Sequence, residues 1–360
     1  MWGIEAESTG STGTRASALL RSAARITWLL LAILTPLCVN FWGQQPFELP
    51  KVVLVRTLVW LLAGLALAGY ALAPRPLRRT LRANPLVGPL GLLALVVAVT
   101  TATATDWRLS LWGSYERAQG AVTLLSYLLL CVLAAQSLRS PPRARALITA
   151  MVAASAPLIL LSLLQAIGRD PFGLVTDARS AVYATLGRAN FVGAYLAMLS
   201  PLTLALLLLT RQRRGRVLWS AVLVGQVFTI GLTLSRSAWL ATAVALFLFS
   251  LLWWGPRLAR RRRALALGGM GLLFVSGPLV VVGLGPGRSG SGAARLTIWR
   301  ATLELIGRRP LLGYGADTLG VVFPRVYPPQ LVYYQGRELF VDRAHNLLLD
   351  LRKRFRTGDP

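Results

Sequence analysis

The sequence predicts an all-α polytopic membrane protein of about nine transmembrane helices plus a large extracytoplasmic loop, and three observations carry that prediction. Apolar residues make up 55% of the chain and charged residues only 14%, against about a quarter charged in soluble domains. Apolar runs long enough to cross a ~30 Å hydrocarbon core recur through the first 285 positions. Arginines cluster in alternate segments between those runs.

Taken in order, residues 1–25 are expected as a disordered cytoplasmic tail, because their first twenty are rich in Ser, Thr, Gly and Ala. The first apolar run follows Arg21 and Arg25 as a signal anchor, with no small-residue cleavage site behind it. The bundle then occupies 26–285, with spans expected at 26–42, 52–73, 86–104, 121–137, 146–167, 190–209, 217–234, 237–254 and 265–284. Pro36, Gly193, Pro201 and Pro278 interrupt spans, which neighbouring helices can tolerate by satisfying the freed backbone. Residues 286–350 form the one long polar segment and are expected as the extracytoplasmic loop. Residues 351–360 follow a short apolar stretch, Leu347–Leu351, too brief to span, and are expected as a truncated polar end.

Alternate loops differ sharply in charge. Nineteen arginines, from Arg15 to the run 260–263, fall in the segments that face inward if the N-terminus is cytoplasmic. Glu48, Asp106, Glu116, Asp170 and Asp177 fall in the opposite loops. Basic residues resist translocation, so the asymmetry predicts a cytoplasmic-membrane protein with its N-terminus inside and the 286–350 loop outside. The net charge of +26 is thereby spent on topology, and no nucleic-acid motif accompanies it. Cys38 and Cys131 lie in apolar runs and are expected as buried thiols, neither a disulfide framework nor metal ligands.

Several polar residues stand out of place. Arg56 lies inside the second span, where it must snorkel, find a partner or meet the phosphate of a membrane-embedded ligand. Arg236 occupies the tight turn between the seventh and eighth spans, flanked by Ser235 and Ser237, a setting that suits bidentate binding of phosphate. Arg117 and Arg188 sit in aromatic-rich outer loops, where Trp and Tyr serve either an interfacial belt or a sugar-stacking groove. The long loop holds Arg288, Arg295, Arg300, Arg308, Arg309, Arg325, Arg337 and Arg343, several tyrosines including Tyr314, and His345, the only histidine.

Arginines at a membrane surface suit an anionic lipid-linked diphosphate and the charge that grows on it as it departs. An imidazole titrates near neutral pH and suits removal of a proton from an attacking hydroxyl. These parts describe sugar transfer from a lipid diphosphate to a hydroxyl, although a lone histidine can equally cap or pack at a helix start. No Asp-x-Asp or clustered His/Cys/Asp set appears, so neither a metal nor a cofactor is expected. A transporter would call for polar residues deep in several spans, and Gln165, Gln226 and Arg56 are few.

The stretches 233–240 (Thr-Leu-Ser-Arg-Ser-Ala-Trp-Leu) and 187–196 (Gly-Arg-Ala-Asn-Phe-Val-Gly-Ala-Tyr-Leu) resemble the O-antigen ligase/polymerase superfamily. Residues 295–299 running into 309–315, and Ala344-His345-Asn346-Leu347, extend the resemblance in the same order. It implies a GT-C-like, metal-independent, inverting glycosyltransferase that moves a glycan from undecaprenyl diphosphate to a glycolipid, glycan or protein hydroxyl. By the same resemblance His345 matches the catalytic histidine and Arg236 and Arg295 match the arginines that hold the donor diphosphate. Arg56, Arg117, Arg188, Tyr314 and Arg343 are further candidates for substrate contact. Family members continue into more spans after the His-Asn-Leu motif, which makes an inactive shortened member one alternative; a flippase for lipid-linked glycans is the other.

Overall fold

The computed structural model describes residues 11–72, 84–173, 180–254, 269, 290–310, 312–335 and 341–344. Among them every regular element is helical: α1 Ser11–Leu37, α2 Glu48–Leu72, α3 Val87–Ala102, α4 Trp107–Trp112, α5 Ala121–Ser137 and α6 Pro141–Ala166. There follow α7 Ala189–Leu209, α8 Arg213–Leu232, α9 Arg236–Trp254, α10 Gly290–Arg308, α11 Leu319–Val322, a 3-10 turn Phe323–Val326 and α12 Gln330–Gln335. Six of these helices are long and apolar enough to cross a membrane: 15–37 of α1, then α2, α6, α7, α8 and α9.

The helices α3 and α5, with 16 and 17 residues, are apolar but shorter than the six. At 1.5 Å rise per residue each reaches only about 25 Å, short of a full crossing without help from its flanks. Apart from Gly269, the expected ninth span, 265–284, lies outside the described residues, as do the 351–360 tail and His345. The first helix begins at Ser11, ahead of the expected boundary at 26. Ala, Leu and Arg, strong helix formers, extend it backwards. Many large apolar side chains point away from the protein, among them Leu67, Leu92, Leu160 and Leu252, which only lipid can make favourable.

The same distinction corrects the expectation for the cysteines. Cys131 is exposed and Cys38, just past the end of α1, is half-buried. An apolar run signals removal from water, and lipid does that as well as protein contact does.

The chain divides into two compact units. One comprises 25–51 and 139–285. Its core gathers Leu158 and Ile159 of α6, Val192 and Leu196 of α7, Ile230 of α8 and Ala238 of α9, with Val182 and Ala184 from the loop before α7. Gly193 permits the closest approach: a Cβ there would stand 2.6 Å from the Ala238 Cβ, so α7 and α9 meet only because the side chain is absent. Several hydroxyls buried in these helices turn back on their own backbone, as Ser162 does to Leu158 O at 2.8 Å and Ser200 to Leu196 O at 2.7 Å, which satisfies those donors within the helix.

The other unit comprises 1–24, 52–138 and 286–360. Here α3, α4 and α5 pack on one another, and α10 packs on α12 and the 3-10 turn. The second group has its own core of Ala294, Ile298, Ala301 and Leu305 of α10 with Tyr314, Leu319, Val322, Phe323, Leu331 and Val341. The i, i+4, i+7, i+11 spacing of the α10 residues defines one apolar helix face. The 286–350 segment therefore contains a folded helical module, and this is what positions the candidate site.

Candidate active site

In the unit containing α2 and α10, the short link from α4 to α5 is closed on itself. Gly113 has φ +86°, and a Cβ there would lie 2.5 Å from the Gln119 nitrogen. A Cβ at Gly120 would lie 2.4 Å from the Gly113 nitrogen. The two backbones cross at distances that only glycine allows. Asp106 caps α4 on the way in, accepting from Leu109 N at 2.9 Å, the usual role of an N-cap carboxylate.

Arg56 of α2 holds this closed loop from below. Its Nε donates to Thr123 Oγ1 at 2.7 Å, and its Nη2 donates to Trp112 O at 2.9 Å and Ala118 O at 2.7 Å. The arginine inside the second span thus has protein acceptors on these two nitrogens, which removes the need to snorkel and commits those donors to structure. Replacing it with leucine strands Trp112 O, while Ala118 O keeps its bond from the Thr123 hydroxyl, and is expected to cost about 1–3 kcal/mol of stability, read as a lower Tm in detergent and reduced accumulation in the membrane.

Asp317, held in the left-handed region at φ +55°, grips the loop from the other side. Its Oδ2 accepts from Ser114 N at 2.7 Å, Ser114 Oγ at 2.9 Å and Gln119 N at 3.3 Å. The 313–318 turn is itself docked on α4, with Ala316 N donating to Ser110 Oγ at 2.9 Å and Thr105 N donating to Tyr314 O at 3.2 Å. Tyr314, a candidate for substrate contact, is buried, with the Arg309 guanidinium 5.1 Å above its ring.

Two anchors fix the segment 341–344, which leads to His345 in sequence. Arg117 Nε donates to Asp342 Oδ2 at 2.7 Å, in a pair whose side chains are only 15% and 18% exposed. Trp299 Nε1 of α10 donates to Ala344 O at 2.7 Å, and Trp299, Ile306 and buried Ala344 pack together. Arg295 stands one turn before Trp299 on the same helix and is exposed, and Arg343 is half-buried between Asp342 and Ala344. Arg56, Arg117, Tyr314, Arg343 and Arg295 thus all belong to one unit, and of these candidates Arg117 contacts the 341–344 segment through Asp342.

Arg236 and Arg188 belong to the other unit. Arg188 precedes the first residue of α7, exposed and with extended backbone, and Arg236 is the first residue of α9, half-buried. Since Gly193 lets α7 meet α9 near their starts, the two arginines stand at neighbouring helix N-termini, which favour anions. The turn before Arg236 is tight: Leu234 has φ +53°, and Trp239 Nε1 donates to Ile230 O at 2.9 Å. The hydroxyls of Ser235 and Ser237, on either side of Arg236 in sequence, lie 3.2 Å apart, within hydrogen-bond distance of each other.

Sequence reasoning passed over Lys51, Asp317 and Asp342. Lys51 Nζ donates to Cys38 O at 2.6 Å, Phe47 O at 3.0 Å and Thr185 O at 2.6 Å, tying the α1–α2 link to the segment that ends in Arg188. Its signal was composition: it is one of two lysines in an arginine-rich chain. No local signal marks Asp317, whose partner Ser114 is 203 positions away.

Residues 225–351 match the family model described as O-Antigen ligase. No curated protein and no solved structure matches the chain.

Proposed function

The match over residues 225–351 supports the O-antigen ligase superfamily, and on that premise we propose that the chain is a metal-independent inverting glycosyltransferase of the cytoplasmic membrane. It spans the membrane nine times with its N-terminus inside, counting α3, α5 and 265–284 with the six longer helices, and works on the extracytoplasmic face. The donor is a glycan on undecaprenyl diphosphate, and the acceptor is a hydroxyl of a glycolipid, a glycan or a protein.

The observation that carries this reading is the docking of 341–344 on α10. Trp299 holds Ala344, the residue before His345 in sequence, and Arg295 lies one turn before Trp299 on the same helix, which supports a base and a diphosphate ligand acting together. In the proposed reaction His345 takes the proton of the acceptor hydroxyl as its oxygen attacks the anomeric carbon. The bond from that carbon to the diphosphate oxygen breaks on the opposite face, which inverts the centre. Arg236 and Arg295 neutralise the negative charge that collects on the departing undecaprenyl diphosphate, the work a divalent cation does in other transferases. Arg188 and Arg343 supply further positive charge toward the donor.

Complementation tests the reading. The chain is expressed in one strain lacking its O-antigen ligase and another lacking its O-antigen polymerase, and the surface glycan is resolved by size. Return of capped or elongated glycan supports transfer and names the acceptor class. Accumulation of the chain in both membranes with neither product restored would end the proposal.

A further inference from the structure

We infer that Arg117 is a positioning residue, acting through its ion pair with Asp342 to fix the segment that delivers His345. The inference rests on the transferase reading above, in which His345 is the base. It departs from that reading on Arg117 itself, whose arginine chemistry alone suggested a direct contact with substrate.

The argument is a chain of contacts within one unit. The closed loop 113–120 has no freedom at its neck, because the Gly113 and Gly120 backbones cross too closely for any side chain. Arg56 fixes it from α2 through Trp112 O and Ala118 O, and Asp317 fixes its far side through Ser114 and Gln119. The loop then presents one cation, Arg117, to a carboxylate 225 positions away. Asp342 is three residues before His345, and Ala344 between them is held by Trp299. Two tethers on a segment this short leave little freedom in where the next residue starts. Because the pair is largely shielded from water, removing Arg117 leaves the Asp342 carboxylate without its guanidinium partner, a costly loss.

A substrate-binding arginine and a positioning arginine fail differently. Loss of a positioning residue spoils the geometry of the reacting centre and lowers kcat, whereas loss of a ground-state contact raises KM with kcat unchanged. The test uses the full chain in nanodiscs with undecaprenyl-diphosphate glycan extracted from the complemented strain, and follows release of undecaprenyl diphosphate. Arg117→Ala and the near-isosteric Asp342→Asn are each expected to lower kcat at least about tenfold while donor KM stays within about twofold. The charge-swapped pair Arg117→Asp with Asp342→Arg is expected to recover a large part of the loss.

A second readout is independent of turnover. In a background with Cys38→Ser and Cys131→Ser, a cysteine introduced as Ala344→Cys reports the segment through maleimide labelling, since Ala344 is fully buried. Arg117→Ala is expected to raise its labelling rate at least about tenfold, as local opening becomes easier, and the swap to lower it again. Raised KM with unchanged kcat and unchanged labelling would overturn the inference and make Arg117 a substrate contact; so would full activity of Asp342→Asn. His345→Ala, run in parallel, separates the two ideas. If that variant still turns over, the transferase reading of His345 fails, while the labelling still reports whether Arg117 holds the segment.

Discussion

Replacing His345 with alanine is expected to lower glycan transfer by about 10²–10⁴-fold, the usual contribution of a positioned general base, while the chain still inserts and accumulates. A sugar hydroxyl is a poor nucleophile until it loses its proton, and without imidazole that proton must pass to water during attack. No substitute stands in the sequence, because His345 is the only histidine, and Asp342, the carboxylate close to it in the chain, is engaged by Arg117. The effect should fall on kcat, with donor KM little changed, since the proposed reaction assigns the diphosphate to the arginines and not to the histidine. The measurement is single-turnover release of undecaprenyl diphosphate, with membrane abundance determined on the same samples. Transfer within about twofold of the unaltered chain, at equal abundance, would remove His345 from the chemistry.

Gly113→Ala is expected to have a large structural effect for a single added methyl group. The position combines φ +86° with a Cβ that would stand 2.5–2.6 Å from three backbone atoms of 118–120. Strained left-handed backbone alone costs about 1–3 kcal/mol, and contacts that short cannot be relieved by a side-chain rotation, because the atoms met are main chain. The loop must open at its neck. Once it opens, Trp112 O and Ala118 O leave Arg56, Ser114 leaves Asp317, and Arg117 loses its reach to Asp342. Both stability and transfer should fall together, read as reduced accumulation, a lower Tm and loss of product. Gly173→Ala is the matched control: its φ is +61° but no heavy atom lies within 4 Å of the added Cβ, so it should show the strain of a positive φ without the steric clash. Equal effects from the two would mean that the neck is not close-packed.

Much of the helical scaffold was legible because its cause is local. An apolar run bounded by arginines has few ways to satisfy its backbone in lipid other than a helix, and α2, α6, α7, α8 and α9 each fall on an expected span. Boundaries moved where local propensity extended a helix, as at Ser11, and α4 and α10 were not foreseen because polar loops hide short or amphipathic helices. The candidate residues were legible by type and order. Their pairing was not: the sequence left Arg56 to snorkel, find a partner or meet a phosphate, and only packing showed that Thr123 Oγ1, Trp112 O and Ala118 O accept from its Nε and Nη2.

The sequence by itself determined that this chain is a helical membrane protein, and which arginines and which histidine are available for chemistry. Both follow from composition and short-range order, where hydrophobic length and charge act over a few residues. Tertiary structure alone decided which of those charges are spent inside the protein: Arg56 on Trp112, Ala118 and Thr123, Arg117 on Asp342, and Lys51 on three carbonyls. An ion pair between residues 225 positions apart leaves no trace in either neighbourhood, because its energy exists only after the chain has closed the distance.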